Sequence, residues 1–395
     1  MLSVKINDNV FFTGSNDRRT ALFENHWPLE NGVSYNSYLI TDQKTALIDT
    51  VEAGQIEDLL NKIKSLLSGR TLDYLVINHM EPDHSAAIRA LVREYPEIQL
   101  VGNSKTFPLL EGFYGNFNHK HTVGEGEILD LGKHQLTFFM MPMVHWPESM
   151  VTFDKTSGIL FSNDAFGGFG ALDGGIFDYE TDISFYEPEL RRYYSNIVGK
   201  YGNQVQKIME KVAGLDVKLI APSHGLLWKE KIPWIIEKYH DWSTFKASKG
   251  VVIVYGSLYG NTGKTADAIA RYLAEEGIKH IRVFDASKTH ISHIISYIWE
   301  YQGLVIGTAA YNGSIFSPVS HIMHHFKNVP LKNRIVGLFG NACWGSAVRE
   351  LKKLAEECQL DLVMEPSESK CTPKDQDFEY ARQLAKAMAK KLGNN

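Results

Sequence analysis

The chain has 395 residues, 44% of them hydrophobic and 22% charged, and a formal net charge of -5. That length is too great for one hydrophobic core, so two domains are expected. The acidic balance argues against a nucleic-acid partner. No apolar run approaches the roughly 18 residues that cross a bilayer, and no signal segment opens the chain. We therefore expect a cytoplasmic protein with no membrane partner.

The first 130 residues are predicted to be mostly strands, with one clear helix. Apolar side chains at helical spacing predict that helix over Ile56–Leu67, and Gly69 closes it. An apolar run predicts a strand over Tyr74–Asn78, and a second helix is expected from Ser85 to Glu94. Between that strand and that helix lies a loop rich in histidine and acidic residues.

Three later strands each precede a residue that can bind a metal. His145 follows Leu129–Met141, Asp164 follows a strand at 159–161, and His224 follows one at 217–220. Further helices are predicted over Glu189–Val212, as a pair, and over Trp234–Phe245. This layout predicts a strand-rich αββα domain with its site at one rim.

After a short polar linker at Lys246–Gly250, the pattern changes to strictly alternating strands and helices. The strands are nearly continuous apolar runs, which is typical of a parallel, doubly wound sheet. The predicted strands begin at 251, 281, 303 and 335, and the predicted helices cover 264–276, 290–299, 319–326 and 347–357. We place the domains at residues 1–249 and 250–395.

The loop after the strand at 74–78 holds the densest group of ligand-type side chains, His79, Glu81, Asp83 and His84. Burying them without a partner would cost free energy, and a metal is the partner that fits. A single tetrahedral ion does not need four ligands from one loop and three from elsewhere. Taken alone, His145, Asp164 and His224 could instead be capping or surface groups. Together the seven residues predict two metal ions, bridged by Asp164.

The loop resembles the H-x-H-x-D-H signature of the metallo-β-lactamase superfamily, with Glu81 in place of the second histidine. A shell richer in carboxylate favours iron over zinc. The segments at 145–150 (HWPESM) and 222–225 (PSHG) resemble those of flavodiiron proteins, also called A-type flavoproteins, and the likeness covers essentially the whole chain. It implies two groups of iron ligands around a bridging Asp164: His79, Glu81 and His145 for one ion, and Asp83, His84 and His224 for the other.

The segment at 255–265 (YGSLYGNTGKT) follows a predicted strand and opens a helix, as phosphate-binding loops do. A Walker A motif would need glycine where Leu258 stands, and no G-x-G-x-x-G occurs here, so neither pattern matches. The loop resembles the FMN phosphate loop of flavodoxins. Two more strand ends, at 307–313 and 340–345, fall where such a sheet binds the flavin ring, and Tyr311 and Trp344 could stack on that ring or simply pack the loops.

The predicted FMN contacts come from these three loops. They are Ser257, Leu258, Tyr259, Gly260, Asn261, Thr262, Thr308, Ala309, Ala310, Tyr311, Asn312, Gly313, Gly340, Asn341, Ala342, Cys343, Trp344 and Gly345.

An iron pair and a flavin together hold four electrons, which reduce dioxygen to two waters. Two electrons from the irons would instead couple two nitric oxide molecules into nitrous oxide. The resemblance implies either activity or both, and His26, Tyr193 and Tyr194 are the candidate proton donors. The alternatives are a zinc hydrolase fused to a flavodoxin domain and an FMN electron carrier with a degenerate first domain.

Electrons must come from another protein or coenzyme, because the three cysteines, Cys343, Cys358 and Cys371, form no C-x-x-C pair. Their spacing argues against a rubredoxin or iron–sulfur centre and against a disulfide framework. The resemblance implies rubredoxin or a deazaflavin coenzyme as the donor. It also implies a head-to-tail homodimer, or a tetramer.

Overall fold

The computed structural model describes residues 2–393. The chain divides into two compact units, Met1–His240 and Asp241–Asn395. This division lies within a helix over Ile232–Ser243, upstream of the boundary predicted at 249. Among residues 2–393, no helix combines the length and apolar composition that a membrane crossing requires.

The first unit contains short strands and intervening helices. Its strands are β1 (Val4–Lys5), β2 (Val10–Phe12), β3 (Ser15–Asp17), β4 (Leu22–Phe23), β5 (Trp27–Pro28), β6 (Val33–Tyr35), β7 (Tyr38–Thr41), β8 (Thr45–Ile48), β9 (Tyr74–Val76), β10 (Gln99–Gly102), β11 (Lys120–Thr122), β12 (Ile128–Asp130), β13 (Gln135–Met140), β14 (Met150–Asp154), β15 (Ile159–Asn163) and β16 (Leu219–Pro222). Its α-helices are α1 (Ile56–Leu67), α2 (Pro82–Ser85), α3 (Ile88–Glu94), α4 (Thr106–Tyr114), α5 (Glu187–Tyr193), α6 (Gly202–Val212) and α7 (Ile232–Ser243).

Two larger sheets form the centre of this unit. One has the order β1-β2-β7-β8-β9-β10-β11 and the other β12-β13-β14-β15-β16. Hydrogen bonds join them at the edge where the site lies: the Tyr38 hydroxyl donates to the Pro222 carbonyl at 2.6 Å. The Thr152 hydroxyl donates to Asn78 Oδ1 at 2.7 Å. The predicted αββα, metallo-β-lactamase-like architecture is confirmed.

The predicted helix over Ile56–Leu67 is confirmed as α1. Leu59, Ile63 and Leu67 recur every fourth residue and are fully buried or nearly so, each contributing about 1.5–3 kcal/mol relative to exposure. Ser68 ends the helix with a left-handed backbone, at a φ of 49°. The apolar spacing and the stop signal therefore determine this element locally.

The helix predicted from about Ser85 to Glu94 is confirmed over Ile88–Glu94, but its start differs. The structure has a short turn, α2, inside the predicted loop, and α3 starts only at Ile88. Pro82 occupies the first turn of α2, where its missing N–H costs no hydrogen bond. The predicted helix pair over 189–212 is confirmed as α5 and α6. A π-helical turn (Tyr194–Val198) and a 3-10 turn (Gly199–Tyr201) separate the two helices.

The second unit alternates strands and helices as predicted. Its strands are β17 (Ser248–Gly256), β18 (Ile281–Asp285), β19 (Tyr301–Tyr311), β20 (Ser314–Ile315), β21 (Ile335–Ala342), β22 (Asp361–Leu362) and β23 (Ser367–Lys370). Its helices are α8 (Asn261–Glu275), α9 (Ile291–Glu300), α10 (Ser317–Asn328), α11 (Val348–Glu357) and α12 (Asp375–Gly393). β17 starts inside the predicted linker, so that segment is partly strand.

The sheet of this unit has the order β18-β17-β19-β21-β22, and these neighbours pair in parallel. That is the 2-1-3-4-5 order of the flavodoxin-like fold, which confirms the predicted class. The closing helix α12, which was not among the predicted helices, buries Ala381, Leu384 and Met388 against Val251 and Val305.

Candidate metal centre and cofactor cavity

The seven predicted metal ligands meet at one edge of the two sheets in the first unit. β15 and β16 run parallel, with Asn163 paired to Pro222, so Asp164 and His224 leave the sheet at the same edge. The backbone of the opposite sheet is attached there, since Met150 N donates to the Asn78 carbonyl at 3.0 Å. The register of the strands thus places candidate ligands that are far apart in the sequence close together in space.

The first group contains His79, Glu81, His145 and one oxygen of Asp164, with ligand atoms within 4.8 Å of one another. Glu81 Oε2 lies 3.2 Å from His79 Nε2 and 3.0 Å from His145 Nε2. Asp164 Oδ2 lies 3.4 Å and 3.3 Å from the same two nitrogens. Four donor atoms therefore converge on one point.

The second group contains Asp83, His84 and His224. Asp83 Oδ2 lies 3.5 Å from His84 Nε2 and 3.3 Å from His224 Nε2. The other oxygen of Asp164, Oδ1, lies 2.9 Å from His84 Nε2 and 3.5 Å from His224 Nε2. The two oxygens of Asp164 face different groups, which is the geometry that a bridging carboxylate needs.

The site is buried and its donors lack sufficient hydrogen-bond partners. His79, Asp164 and His224 are fully buried. Within residues 2–393, both Asp83 oxygens, Asp164 Oδ2 and His224 Nε2 have no hydrogen-bond partner. Buried polar atoms in this condition cost free energy unless an ion binds them. The nitrogen and carboxylate donors therefore fit a pair of metal ions, and the carboxylate content suits iron.

Protons occupy these positions when the chain is free of metal. Burial alone would lower the pKa of His84, but the charges of Asp83 and Asp164 raise it to about 9. Burial likewise opposes the charge on His145, whereas its interactions with Asp164 and Glu81 raise its pKa to about 9. Against the cost of burial, the nearby histidines hold the pKa of Asp164 well below its usual range. The metal-free site is a network of imidazolium and carboxylate pairs.

Two further groups, which were not predicted as ligand supports, orient the histidines from behind. His79 Nδ1 donates to Glu148 Oε1 at 2.8 Å, and that oxygen also accepts from the Met80 backbone at 3.0 Å. His224 Nδ1 donates to the Ser34 carbonyl at 2.7 Å. Both hydrogen bonds leave Nε2 as the nitrogen that could bind a metal. The HWPE segment contained the signal for Glu148, but the backbone acceptor at Ser34 has no sequence signal.

Replacing Glu148 with glutamine should weaken metal binding in the first group by about 10- to 100-fold, because the carboxylate no longer fixes His79. Titration of the metal-free protein with Fe²⁺ under nitrogen would measure this. Glu125, an exposed glutamate that contacts Lys211, provides the matched Glu→Gln control. Equal metal affinity in the Glu148→Gln protein would rule out the orienting role.

Of the predicted proton donors, Tyr193 packs beside a candidate ligand, with its ring 5.5 Å from that of His224. Tyr194 packs against Tyr239, with ring centroids 5.0 Å apart. The His26 ring meets that of Trp27 edge to face, with centroids 4.0 Å apart. Catalytic roles for His26 and Tyr194 remain predictions. The structure adds Glu24: burial, then the hydrogen bond and charge of Glu81, raise its pKa to about 8.

In the second unit, the predicted flavin loops border one cavity at the carboxyl ends of β17, β19 and β21. Half of the predicted contacts line it: Ser257, Leu258, Tyr259, Asn261, Ala309, Ala310, Asn341, Cys343 and Trp344. The other predicted contacts lie in or beside the same strand ends, turns and helix start: Gly260, Thr262, Thr308, Tyr311, Asn312, Gly313, Gly340, Ala342 and Gly345.

The first turn of α8 has backbone N–H groups and hydroxyls that could bind an anion. Gly260 precedes it with a φ of 87°, and no side chain caps its backbone N–H groups. The hydroxyls of Thr262 and Thr265 are buried, and neither has a hydrogen-bond partner among residues 2–393. A phosphate group would satisfy both the N–H groups and the hydroxyls. The Thr308 hydroxyl, by contrast, already accepts from Phe316 N at 3.1 Å.

Aromatic side chains stand exposed around the same cavity. Tyr259, Trp344 and Tyr311 are 91%, 68% and 47% exposed. Exposed rings of this size at one rim are unusual on a stable surface and are well placed to cover a flat aromatic ligand. The lining fits a phosphate at one end and a planar ring at the other.

The family model "ODP family beta lactamase" matches residues 33–225. A nitric oxide reductase of Moorella thermoacetica is 30% identical, with 99% of each chain covered. A rubredoxin-oxygen oxidoreductase of Megalodesulfovibrio gigas is also 30% identical, covering 99% of this chain and 98% of that protein. An anaerobic nitric oxide reductase flavorubredoxin of Klebsiella pneumoniae is 29% identical and covers 98% of this chain and 82% of its own.

Solved structures agree over the full length. The rubredoxin oxygen:oxidoreductase from Desulfovibrio gigas superposes with a TM-score of 0.95 at 30% identity, covering 99% of both chains. A mutant of the flavo di-iron protein from Thermotoga maritima gives 0.91 at 26% identity, covering 99% of this chain and 98% of that one. The names of these relatives support an oxidoreductase rather than the zinc-hydrolase alternative. On this similarity, the chain belongs to the flavodiiron protein family.

Proposed function

We propose that this chain reduces dioxygen to water, nitric oxide to nitrous oxide, or both, at a non-haem di-iron site supplied with electrons through FMN. The observation that carries the proposal is Asp164, whose two oxygens face two separate groups of buried ligands. The relatives named as nitric oxide reductase and rubredoxin-oxygen oxidoreductase support it. We assign the iron ligands to residues 1–249 and the FMN contacts to residues 250–395.

His79, Glu81 and His145 would hold one iron, Asp83, His84 and His224 the other, and Asp164 both. When bound, the irons and FMN supply the electrons for the reduction. The protein's own task is to fix the ligand nitrogens, which Glu148 and Ser34 do through Nδ1 of His79 and His224. Both histidines are thereby held in the tautomer that presents Nε2.

Reduction to water consumes protons, and Glu24 is placed to hold one. At a pKa of about 8 it is mostly protonated at neutral pH in the metal-free chain. The Trp27 indole N–H donates to Glu24 Oε2 at 2.9 Å and fixes that carboxyl group. Glu24 also lines a cavity with Glu81 and Asp83, which gives small molecules a route toward the ligands. We assign Glu24 the role of proton holder beside Glu81.

Metal binding should strengthen as pH rises toward 9, because an ion must displace protons from His84 and His145. Each proton displaced contributes about a tenfold gain in affinity per pH unit below the pKa. Fe²⁺ titrations under nitrogen at pH 6.5, 7.5 and 8.0 would measure the slope and the protons released. An affinity that does not change over this range would contradict the assignment of these histidines as ligands.

The metal-free protein should show the opposite trend in stability. A histidine with pKa raised from about 6.5 to about 9 stabilises the fold fully below pH 6.5, and that contribution is lost as pH rises through 9. Thermal unfolding of metal-free and iron-loaded protein over this window separates the two effects. The metal-free form should lose stability as the pH rises toward 9. The difference in stability between the iron-loaded and metal-free forms should grow over the same range.

The external donor, the assembly and the location are also proposals. We propose rubredoxin or a similar small redox partner as donor, because one relative is named rubredoxin-oxygen oxidoreductase. We further propose a head-to-tail homodimer or a tetramer, in the cytoplasm, without a nucleic-acid or membrane partner. Sedimentation of the purified protein would decide the oligomeric state.

Metal analysis and an absorption spectrum of the pure protein test the function as a whole. Two irons and one FMN per chain are expected, together with consumption of dioxygen or nitric oxide when reduced rubredoxin is supplied. Both turnovers should be measured with the same saturating donor, which also ranks the two substrates. Zinc with little flavin, and no turnover of either gas, would contradict the proposal.

A further inference from the structure

Two of the three cysteines lie side by side at the rim of the flavin cavity. β21 and β23 are parallel, with Asn341 opposite Ser369 and Ala342 opposite Lys370. The ladder continues past the strand ends, since Cys371 N donates to the Ala342 carbonyl at 3.3 Å. Cys343 and Cys371 each stand one residue beyond the last pair of this ladder, Ala342 and Lys370, and neighbouring strands are about 4.8 Å apart. This separation is within the range that a disulfide spans.

Both thiols are accessible to a small oxidant. Both side chains are exposed, whereas Cys358 is buried. The neighbouring Cys371 thiol raises the pKa of Cys343, so Cys343 becomes a better nucleophile as the pH rises. Asn341 Nδ2 donates to the Cys371 carbonyl at 2.6 Å and holds it in place. Cys371 has a φ of 58°, a left-handed conformation that costs a residue with a Cβ about 1–2 kcal/mol.

We propose that Cys343 and Cys371 form a reversible disulfide that weakens FMN binding, so that the second unit carries a thiol switch. The bond itself follows from the strand register, and its effect on flavin rests on the proposed function. In a reducing compartment the pair stays as two thiols until the thiol–disulfide balance becomes more oxidising.

The oxidant is a low-molecular-weight disulfide. One protein thiolate attacks a sulfur of that disulfide, forms a mixed disulfide and releases one small thiol. The second protein thiolate then attacks the protein sulfur of the mixed disulfide, forms the Sγ–Sγ bond and releases the second small thiol. The protein loses two electrons, the oxidant gains them, and the two cysteine protons end on the released thiols.

The direction of the effect follows from the order of the strands. β23 pairs with β21 on the side away from β19, and β19 lies between β21 and β17. A disulfide needs its Cβ atoms about 3.8 Å apart, closer than unlinked neighbours on adjacent strands. The bond would draw Cys343 and Trp344 away from Ser257 across the cavity. The cavity would widen, and FMN would bind more weakly.

Full-length protein is incubated with oxidised glutathione, and its free thiols are counted. The count should fall from three to one, with loss of two hydrogens by intact mass and a Cys343–Cys371 cross-linked peptide. Cys358→Ser, the matched control, should still form the bond, and Cys371→Ser should not. A count that stays at three, or a bond that involves Cys358, would overturn the proposal.

FMN affinity is then measured for the reduced and oxidised protein. Oxidation should weaken it on the order of threefold to tenfold, the effect of removing one ordinary hydrogen bond, and dithiothreitol should restore it. In Cys371→Ser, oxidised glutathione should not cause this reversible weakening. Equal affinity in the two states would refute the switch. If neither state binds FMN, the proposed function fails instead, and the disulfide is still decided by the thiol count.

Discussion

Replacing Asp164 with alanine should lower dioxygen or nitric oxide turnover by more than about 100-fold and remove most of the iron. Asp164 Oδ2 faces His79 and His145, and Oδ1 faces His84 and His224. Its absence removes one donor from each ligand group at once. FMN should remain bound at its normal stoichiometry, because the predicted flavin contacts lie in the second unit. Iron content, FMN content and gas consumption, measured on one preparation, would check this result.

Two variants make the test specific. Asp164→Asn keeps the side-chain volume but leaves a single acceptor oxygen, so it should also lose iron. That result would show that the iron loss in Asp164→Ala does not come from the cavity left by the shorter side chain. Asp130→Ala, at an exposed aspartate of the same unit, should keep both iron and turnover. Normal turnover in Asp164→Ala would remove the bridging role and with it the main support for a di-iron site.

The grouping of the seven candidate ligands could be predicted from sequence, because each lies near the end of a predicted strand or in one dense loop. The spacing of His79, Glu81 and His84 is local information, and so is the apolar run before it. The contribution of Ser34 could not be predicted, since it binds His224 through a backbone carbonyl whose position depends on the packing of two sheets. Backbone groups of this kind have no residue-type signal.

Glu24 was missed for a related reason. Its raised pKa comes from burial and from its interaction with Glu81, which is 57 positions later in the numbering of the chain. Nothing in the residues around Glu24 indicates that neighbour. Conversely, the break between α2 and α3 was missed because Pro82 favours a helix start inside the segment predicted as a loop. Tertiary interactions and one local turn thus account for the differences between the predicted and the observed site.

Replacing Thr262 with valine should weaken FMN binding by about 10- to 100-fold, which corresponds to removing a hydrogen bond to a charged group. Thr262 is fully buried in the first turn of α8, and within residues 2–393 its hydroxyl has no hydrogen-bond partner. Valine has the same shape, so the fold should be retained while the hydrogen bond to the phosphate disappears. Fluorescence titration of flavin-free protein with FMN would measure the change.

Comparing FMN with riboflavin isolates the contribution of the phosphate group to binding. Riboflavin lacks the phosphate, so its affinity should be nearly the same in the Thr262→Val and unmodified proteins, while the affinity for FMN falls. Thr122→Val, at an exposed threonine of the first unit, should change neither. If the affinity for both flavins fell equally, Thr262 would be supporting the shape of the loop rather than binding phosphate. Iron content should be unchanged in every variant, because the ligand groups belong to the first unit.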